Sequence, residues 1–132
     1  MIVVDASVLV AAVDVDDTAH GESLGLVSSG QPLAILDLTL YEIQNAALRF
    51  REEANAALLH EFAWGIAELG QLVRVDAALS TAIRHTARRL QLTAYDAAYV
   101  AAAAALGADL ASCDVGDLVG PGYAKLPGEL LA

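Results

Sequence analysis

The chain begins Ile2-Val3-Val4-Asp5-Ala6-Ser7-Val8-Leu9, and that stretch decides how the rest is read. Three consecutive β-branched residues mark a strand buried on both faces, because a strand with one wet face would alternate apolar with polar. Asp5 ends the run, and helical spacing from Ser7 to Val13 follows at once. A doubly buried strand feeding directly into a helix opens a β-α unit, so a mainly parallel sheet is expected.

Outward from this start, segments of the same two kinds alternate. Residues 19–28 can be helical and stop at Gly30, and 32–36 read as the second strand. Helices are expected over 40–51 and 54–69, the latter with Leu58, Phe62, Ile66 and Leu69 inward. Residues 72–75 read as strand three. A helix over 77–90 turns Leu79, Ile83 and Leu90 inward, and an alanine-rich helix over 95–106 ends at Gly107. Residues 110–113 read as strand four and 123–126 as a possible edge strand. The expected architecture is α/β with a sheet of four to five strands, in one domain over 1–132.

Composition narrows the class. Apolar residues are 57 % of the 132, enough for one core. The longest uncharged apolar stretch, Ala97 to Ala108, is far short of the ~20 residues of a membrane span. No basic segment precedes the carboxylate at position five, as a secretory signal requires. The single cysteine, Cys113, excludes an internal disulfide and a cysteine-built zinc site, and reads as a buried strand residue. A cytoplasmic protein with no membrane association is expected. Seven Lys+Arg against 17 Asp+Glu leave a net charge of −10, the wrong sign for binding nucleic acid by net charge.

The acids are therefore the informative residues. Asp5, Asp37, Asp76 and Asp114 each follow one of the four expected strands, and in a parallel sheet such ends line one edge. Each has a bland account as the cap of the next helix. Glu42 and Asp96 have one too, since Thr39-Leu40-Tyr41-Glu42 and Thr93-Ala94-Tyr95-Asp96 both match a capping box. A functional account asks which acids converge. Ligands of open α/β sheets bind beyond the strand C-termini where strand order reverses, so Asp5 and Asp114 meet if strand one is central and strand four its neighbour. Carboxylates gathered without His or Cys suit a hard cation, Mg2+ or Mn2+, and through it phosphate chemistry. Glu42 could join from the helix after strand two, whereas spacing leaves the edge that Asp96 occupies open.

Taken together, these segments resemble the PIN-domain nucleases, specifically the small VapC-type toxins of toxin–antitoxin pairs, over nearly the whole chain. The resemblance is carried by Ile2-Val3-Val4-Asp5-Ala6-Ser7-Val8-Leu9, by Leu40-Tyr41-Glu42-Ile43-Gln44-Asn45-Ala46, by Leu92-Thr93-Ala94-Tyr95-Asp96-Ala97-Ala98-Tyr99-Val100-Ala101 and by Leu110-Ala111-Ser112-Cys113-Asp114. It implies a PIN-like α/β/α sandwich with Asp5, Glu42, Asp96 and Asp114 gathered at the C-terminal edge of the sheet. Many relatives have Thr-x-Asp where this chain has Ser112-Cys113-Asp114, and a basic residue where Val115-Gly116-Asp117 follows. Asp117 either binds metal through water or ends a turn, the commoner role.

By this likeness the chain is a Mg2+- or Mn2+-dependent endoribonuclease for single-stranded or loop RNA, with Asp5, Asp96 and Asp114 as ligands and Glu42 as ligand or base. Ser7 is a candidate for orienting a carboxylate, or only a cap, and Ser112 keeps the relatives' hydroxyl. A homodimer binding a cognate antitoxin protein is implied as well. Two divalent ions would still leave a charge of about −6. Phosphate attraction must therefore be local. Arg84, His85, Arg88 and Arg89 on one helix, with Arg49 and Arg51, could grip RNA, though such runs more often pair with neighbouring acids. Trp64 lies opposite the Leu58/Phe62/Ile66 face and suggests a contact surface, unless another part of the chain covers it. Three alternatives remain: a PIN nuclease of RNA maturation, a non-catalytic acidic interaction module whose carboxylates only cap helices, and a receiver domain. The receiver needs paired acids after strand one, where Asp5 stands alone.

Overall fold

The computed structural model describes residues 1–132. Strand β1 (Ile2–Val4) sits inside an all-parallel sheet of order β3-β2-β1-β4, with β2 at Leu33–Leu36, β3 at Gln71–Val73 and β4 at Asp109–Ala111. Strand order reverses at β1, which pairs Val3 with Ala34 of β2 on one side and with Leu110 of β4 on the other. The crevice beyond Val4 is thus the switch point at which open α/β sheets place ligands.

Helices α1 (Ala6–Val13), α2 (His20–Val27), α3 (Asp37–Ala47), α4 (Glu53–Leu69), α5 (Ala77–Leu90) and α6 (Ala94–Leu106) complete the chain. Two cores explain the unbroken apolar run of β1. Ile2 and Val4 face one layer with Leu9, Leu26, Ile43, Leu59 and Ile66, from α1, α2, α3 and α4. Val3 faces the other with Ala98 and Ala102 of α6, flanked by Leu79 and Ile83 of α5. The result is an α/β/α sandwich. Alanines on α6 bring that helix close to the sheet, and Gly107 ends it at φ 61°, a left-handed position that costs glycine nothing.

Four expectations need correction. Helix α3 starts at Asp37 rather than at 40, because Thr39 is its third residue and not its cap: its Oγ1 accepts the Leu36 N–H at 3.1 Å. The helix ends at Ala47, after which Arg49 and Phe50 donate into single turns, to Ala46 and Ala47. Helix α4 buries Leu59, Ala63 and Ile66, while Leu58 and Leu69 stay exposed, at 37 % and 92 %. Both registers have helical spacing. Gly70 then abuts β2, where a Cβ would collide with the Leu33 carbonyl oxygen. The sheet has four strands, since residues 123–126 contribute one bridge, Ala111 to Lys125; the Tyr123 and Ala124 N–H groups turn back to Leu118 instead. Strand β4 stops at Ala111, which leaves Ser112, Cys113 and Asp114 as a segment beyond the sheet.

Candidate active site

Asp5 leaves β1 as the cap of α1, its Oδ1 accepting the Val8 N–H at 3.3 Å and the Ser7 hydroxyl at 2.5 Å. Ser7 Oγ in turn accepts the Cys113 N–H at 2.9 Å, and Ser112 Oγ accepts the Asp114 N–H at 3.0 Å. The two serine oxygens lie 3.5 Å apart. Both hydroxyls thus join the end of β1 to the segment after β4, one of them by holding the Asp5 carboxylate. Burial pushes Asp5 up to about 6, against the pull of the Ser112 and Ser7 hydroxyls and the Val8 amide, and the charge of Glu42 raises it further.

Glu42 projects from the second turn of α3. It does not act in a capping box: its Oε1 accepts the Tyr99 hydroxyl at 2.5 Å. Tyr99 Oη lies 2.8 Å from Thr39 Oγ1, so a buried relay runs from the Leu36 N–H through Thr39 and Tyr99 to Glu42. Half-burial raises the Glu42 pKa, the tyrosine bond lowers it and Asp96 raises it. The Tyr99 phenol is itself pushed far up by burial and the Glu42 charge, which keeps it a donor.

Asp96 stands in the first turn of α6, where Thr93 is the cap and accepts the Asp96 N–H at 3.2 Å. The carboxylate makes no return bond to Thr93, so only half of the expected capping box exists. Its oxygens gather instead with those of Asp114 and Asp117, one from each carboxylate within 4.8 Å of the others. Burial raises the Asp96 pKa, followed by the charges of Asp114 and Asp117. Asp114 caps a single π-type turn over Val115–Val119 through the Asp117 N–H, at 3.0 Å. Asp117 therefore does sit in a turn, and that turn aims it at the acidic cluster.

Asp96, Asp114 and Asp117 thus cluster beyond the C-terminal ends of β1 and β4, with Glu42 near enough to feel the charge of Asp96 and Asp5 near enough to feel that of Glu42. Asp37 and Asp76 do not join them: Asp37 Oδ2 accepts the Val75 N–H at 3.1 Å and Asp76 caps α5. A cleft of about 510 Å3 opens beside the acids, lined among others by Ser7, Asp17, Glu42, Asn45, Arg49 and Asp114. A larger groove, about 610 Å3, lies at the other end of the sheet among Met1, Leu33, Phe62 and Leu69. Its one ionisable side chain, Glu61, gives it no comparable chemistry. Trp64 is 37 % exposed, its ring 6.2 Å from that of His60. Cys113 is half-buried, and burial pushes its thiol up. Asp17, Thr39 and Tyr99 are not among the expected site residues; the only signal for Tyr99 is its place one turn after Asp96 on the same helix.

A donor set of carboxylates and hydroxyls is hard, and no Lys or Arg lies within 4 Å of any of these acids. It fits Mg2+ or Mn2+ and offers nothing to a soft metal. A family model described as PIN domain matches residues 2–116. The chain belongs to the PIN domain family. No curated protein matches the sequence. Among solved structures, PAE2754 from Pyrobaculum aerophilum is 25 % identical with a TM-score of 0.69, covering 98 % of this chain and 85 % of its own. VapC20 from Mycobacterium tuberculosis, described as a sarcin–ricin-loop-cleaving toxin, is 18 % identical with a TM-score of 0.77, over 96 % of this PIN chain and 98 % of its own. A toxin–antitoxin complex from Klebsiella pneumoniae gives 14 % identity and a TM-score of 0.72, over 96 % and 98 %. Likeness at 18 % and 14 % is likeness of fold. No helix of this PIN domain is long and apolar enough to cross a membrane.

Proposed function

We propose that this PIN domain is a Mg2+- or Mn2+-dependent endoribonuclease for single-stranded or loop RNA, and the toxin of a toxin–antitoxin pair. The observation that carries the reading is the cluster of Asp96, Asp114 and Asp117 at the switch point, backed by Glu42 and Asp5 and with no Lys or Arg in ion-pair contact. Burial and then the charges of Asp114 and Asp117 raise the Asp96 pKa, a cost that a divalent ion removes. The cap-only alternative loses support at Glu42 and Asp96, whose carboxylates return no bond to a helix start.

Asp5, Asp96 and Asp114 would hold the metal, with Glu42 and Asp117 as further oxygen donors. When bound, such an ion supplies an acidified water as nucleophile and charge stabilisation for the leaving 3′ oxygen. The chain's own part is orientation and proton handling. Tyr99 fixes Glu42 through Oε1, leaving Oε2 free to accept a proton from a water in the cleft. Ser7 fixes Asp5 and, through the Cys113 N–H, the segment that carries Asp114. A protein of the same fold is solved as a toxin–antitoxin complex, which supports a cognate antitoxin here; exposed Trp64 and Leu69 offer apolar contact area for it or for a second copy in a homodimer.

The test is RNA cleavage by chelated protein before and after Mn2+ is restored, with Asp96→Asn in parallel. Cleavage should return with the ion, and the folded variant should lose it by orders of magnitude. Full activity in excess EDTA refutes the reading. Co-purification with the product of a neighbouring gene tests the antitoxin, and growth arrest relieved by that product separates toxin from maturation enzyme.

A further inference from the structure

At a net charge of −10, a polyanion can be held only where cations are placed for it. The seven Lys and Arg residues are unevenly used. Lys125 pairs with Asp109 at 3.1 Å, the only ion pair in the protein, and Asp109 begins β4, at the opposite end of that strand from the carboxylate edge. All six arginines are unpaired. Arg49 is the one cation lining the acidic cleft, yet no carboxylate comes within 4 Å of it although Asp17, Glu42 and Asp114 line the same space. Arg84, Arg88 and Arg89 are exposed on α5, a 14-residue helix with no acid of its own. Pairing at i,i+4, the usual account of a helical charge run, is therefore absent. The helix dipole accounts for Arg88 and Arg89 in the last turn but not for Arg84 a turn earlier.

Topology puts the two groups in opposite helical layers. Helix α3, which Arg49 follows, packs on α1 and α4, whereas α5 packs on α6 in the other layer. Only residues 91–93 separate Leu90 from Ala94, so the end of α5 lies within ~14 Å of the start of α6, where Asp96 stands. Glu42 stands on α3 in one layer and Asp96 on α6 in the other, so the acids span the two layers.

We propose that the RNA strand crosses the C-terminal edge of the sheet from one helical layer to the other, with Arg49 holding a backbone phosphate on one side of the carboxylates and Arg88 and Arg89, with Arg84 behind them, on the other. This rests on the ribonuclease reading and adds the path of the substrate. Arg49, inside the cleft, orients the phosphates next to the scissile bond. The α5 arginines act at a distance and supply affinity alone.

The experiment compares the parent with Arg49→Ala, Arg49→Lys, the double variant Arg88→Ala/Arg89→Ala, and Lys125→Ala as control. Each is assayed with a single-stranded RNA on the order of 12 nucleotides, a length one groove can span. Steady-state cleavage in Mn2+ is read beside equilibrium binding over a salt series, the latter with every variant also carrying Asp96→Asn. The double variant should raise KM roughly tenfold with kcat unchanged and lower the salt slope by about 1.4, at about 0.7 for each single-strand phosphate no longer neutralised. Arg49→Ala should lower the slope by about 0.7 and move kcat as well as KM, with partial rescue by Arg49→Lys. Lys125→Ala should match the parent. Unchanged slopes and KM in folded arginine variants overturn the path while leaving the nuclease intact. Arginine-dependent slopes in a parent that cuts nothing preserve the path and sink the nuclease reading. If the double variant binds RNA as the parent does but loses a cognate partner protein, the stripe is a protein contact and the path is wrong.

Discussion

Replacing Asp5 with asparagine isolates the cost of keeping a carboxyl in this site. The residue is 5 % exposed, and burial lifts its pKa from 3.8 to about 6. Because the folded-state value lies above the unfolded one, the folded state holds the proton more tightly. The associated stability is fully present below about 3.8, declines as pH rises to about 6, and stays low above. That interval corresponds to about 3 kcal/mol. The variant has no proton to lose and keeps an oxygen to accept the Val8 N–H at the cap. In EDTA, its stability relative to the parent should rise by about 2 to 3 kcal/mol between pH 4 and pH 7.5, with RNA cleavage abolished. Urea denaturation followed by circular dichroism measures this at both pH values. Any fixed difference in capping cancels in the comparison, and equal m-values certify that the unfolding transition is unchanged. An offset that is the same at both pH values would refute the argument that burial of an ionised Asp5 destabilises the metal-free fold.

Tyr99→Phe removes the hydroxyl that joins Thr39 to Glu42; the fold should lose about 1 to 2 kcal/mol. Losing a bond to the ionised form raises the Glu42 pKa further, so the acid limb of the cleavage profile should move to higher pH. An unmoved limb would exclude Glu42 as the proton acceptor. Gln91 ends α5 at φ 55°, the only non-glycine residue with positive φ. Gln91→Gly should stabilise by up to ~1 kcal/mol in thermal melts without altering cleavage, since glycine takes that conformation freely. A lower Tm would show that the Gln91 side chain makes interactions worth more than the strain.

The fold is legible in the sequence where signals are local and unopposed. β1 is a run that no helix pattern explains, and α6 is bounded by Thr93 and Gly107. Legibility fails where two local patterns compete. Thr39 can serve either as the cap of the helix or as its third residue bonding back to the chain before it, and only the Leu36 N–H at the end of β2 decides. Leu58 and Leu59 both begin helical stripes, and the choice between them belongs to the sheet surface beneath. In the site, Asp5, Glu42 and Asp114 can be placed by strand ends and helix starts. Asp96 is placed by family resemblance, because two helices separate it from β3 and spacing does not fix the edge from which the second one starts. Asp117 reads as a turn residue, and nothing local says that its turn points inward. Tyr99 is invisible, since a tyrosine in an alanine-rich helix reads as core until its hydroxyl is seen to find a carboxylate.

The central position of β1 also sets when the protein becomes complete. Residues 2–4 are made before the other strands of the sheet, yet their partner on one side, residues 109–111, is made more than a hundred residues later. At about 5 to 20 residues per second, translation leaves β1 an open edge for several seconds at least. Through that interval Ser7 has no Cys113 amide to accept, and Asp5 has no companion acids from residues 114 or 117. The acidic edge is therefore incomplete in the nascent chain, and a chain broken off before residue 109 keeps an unpaired edge on β1, a liability for aggregation.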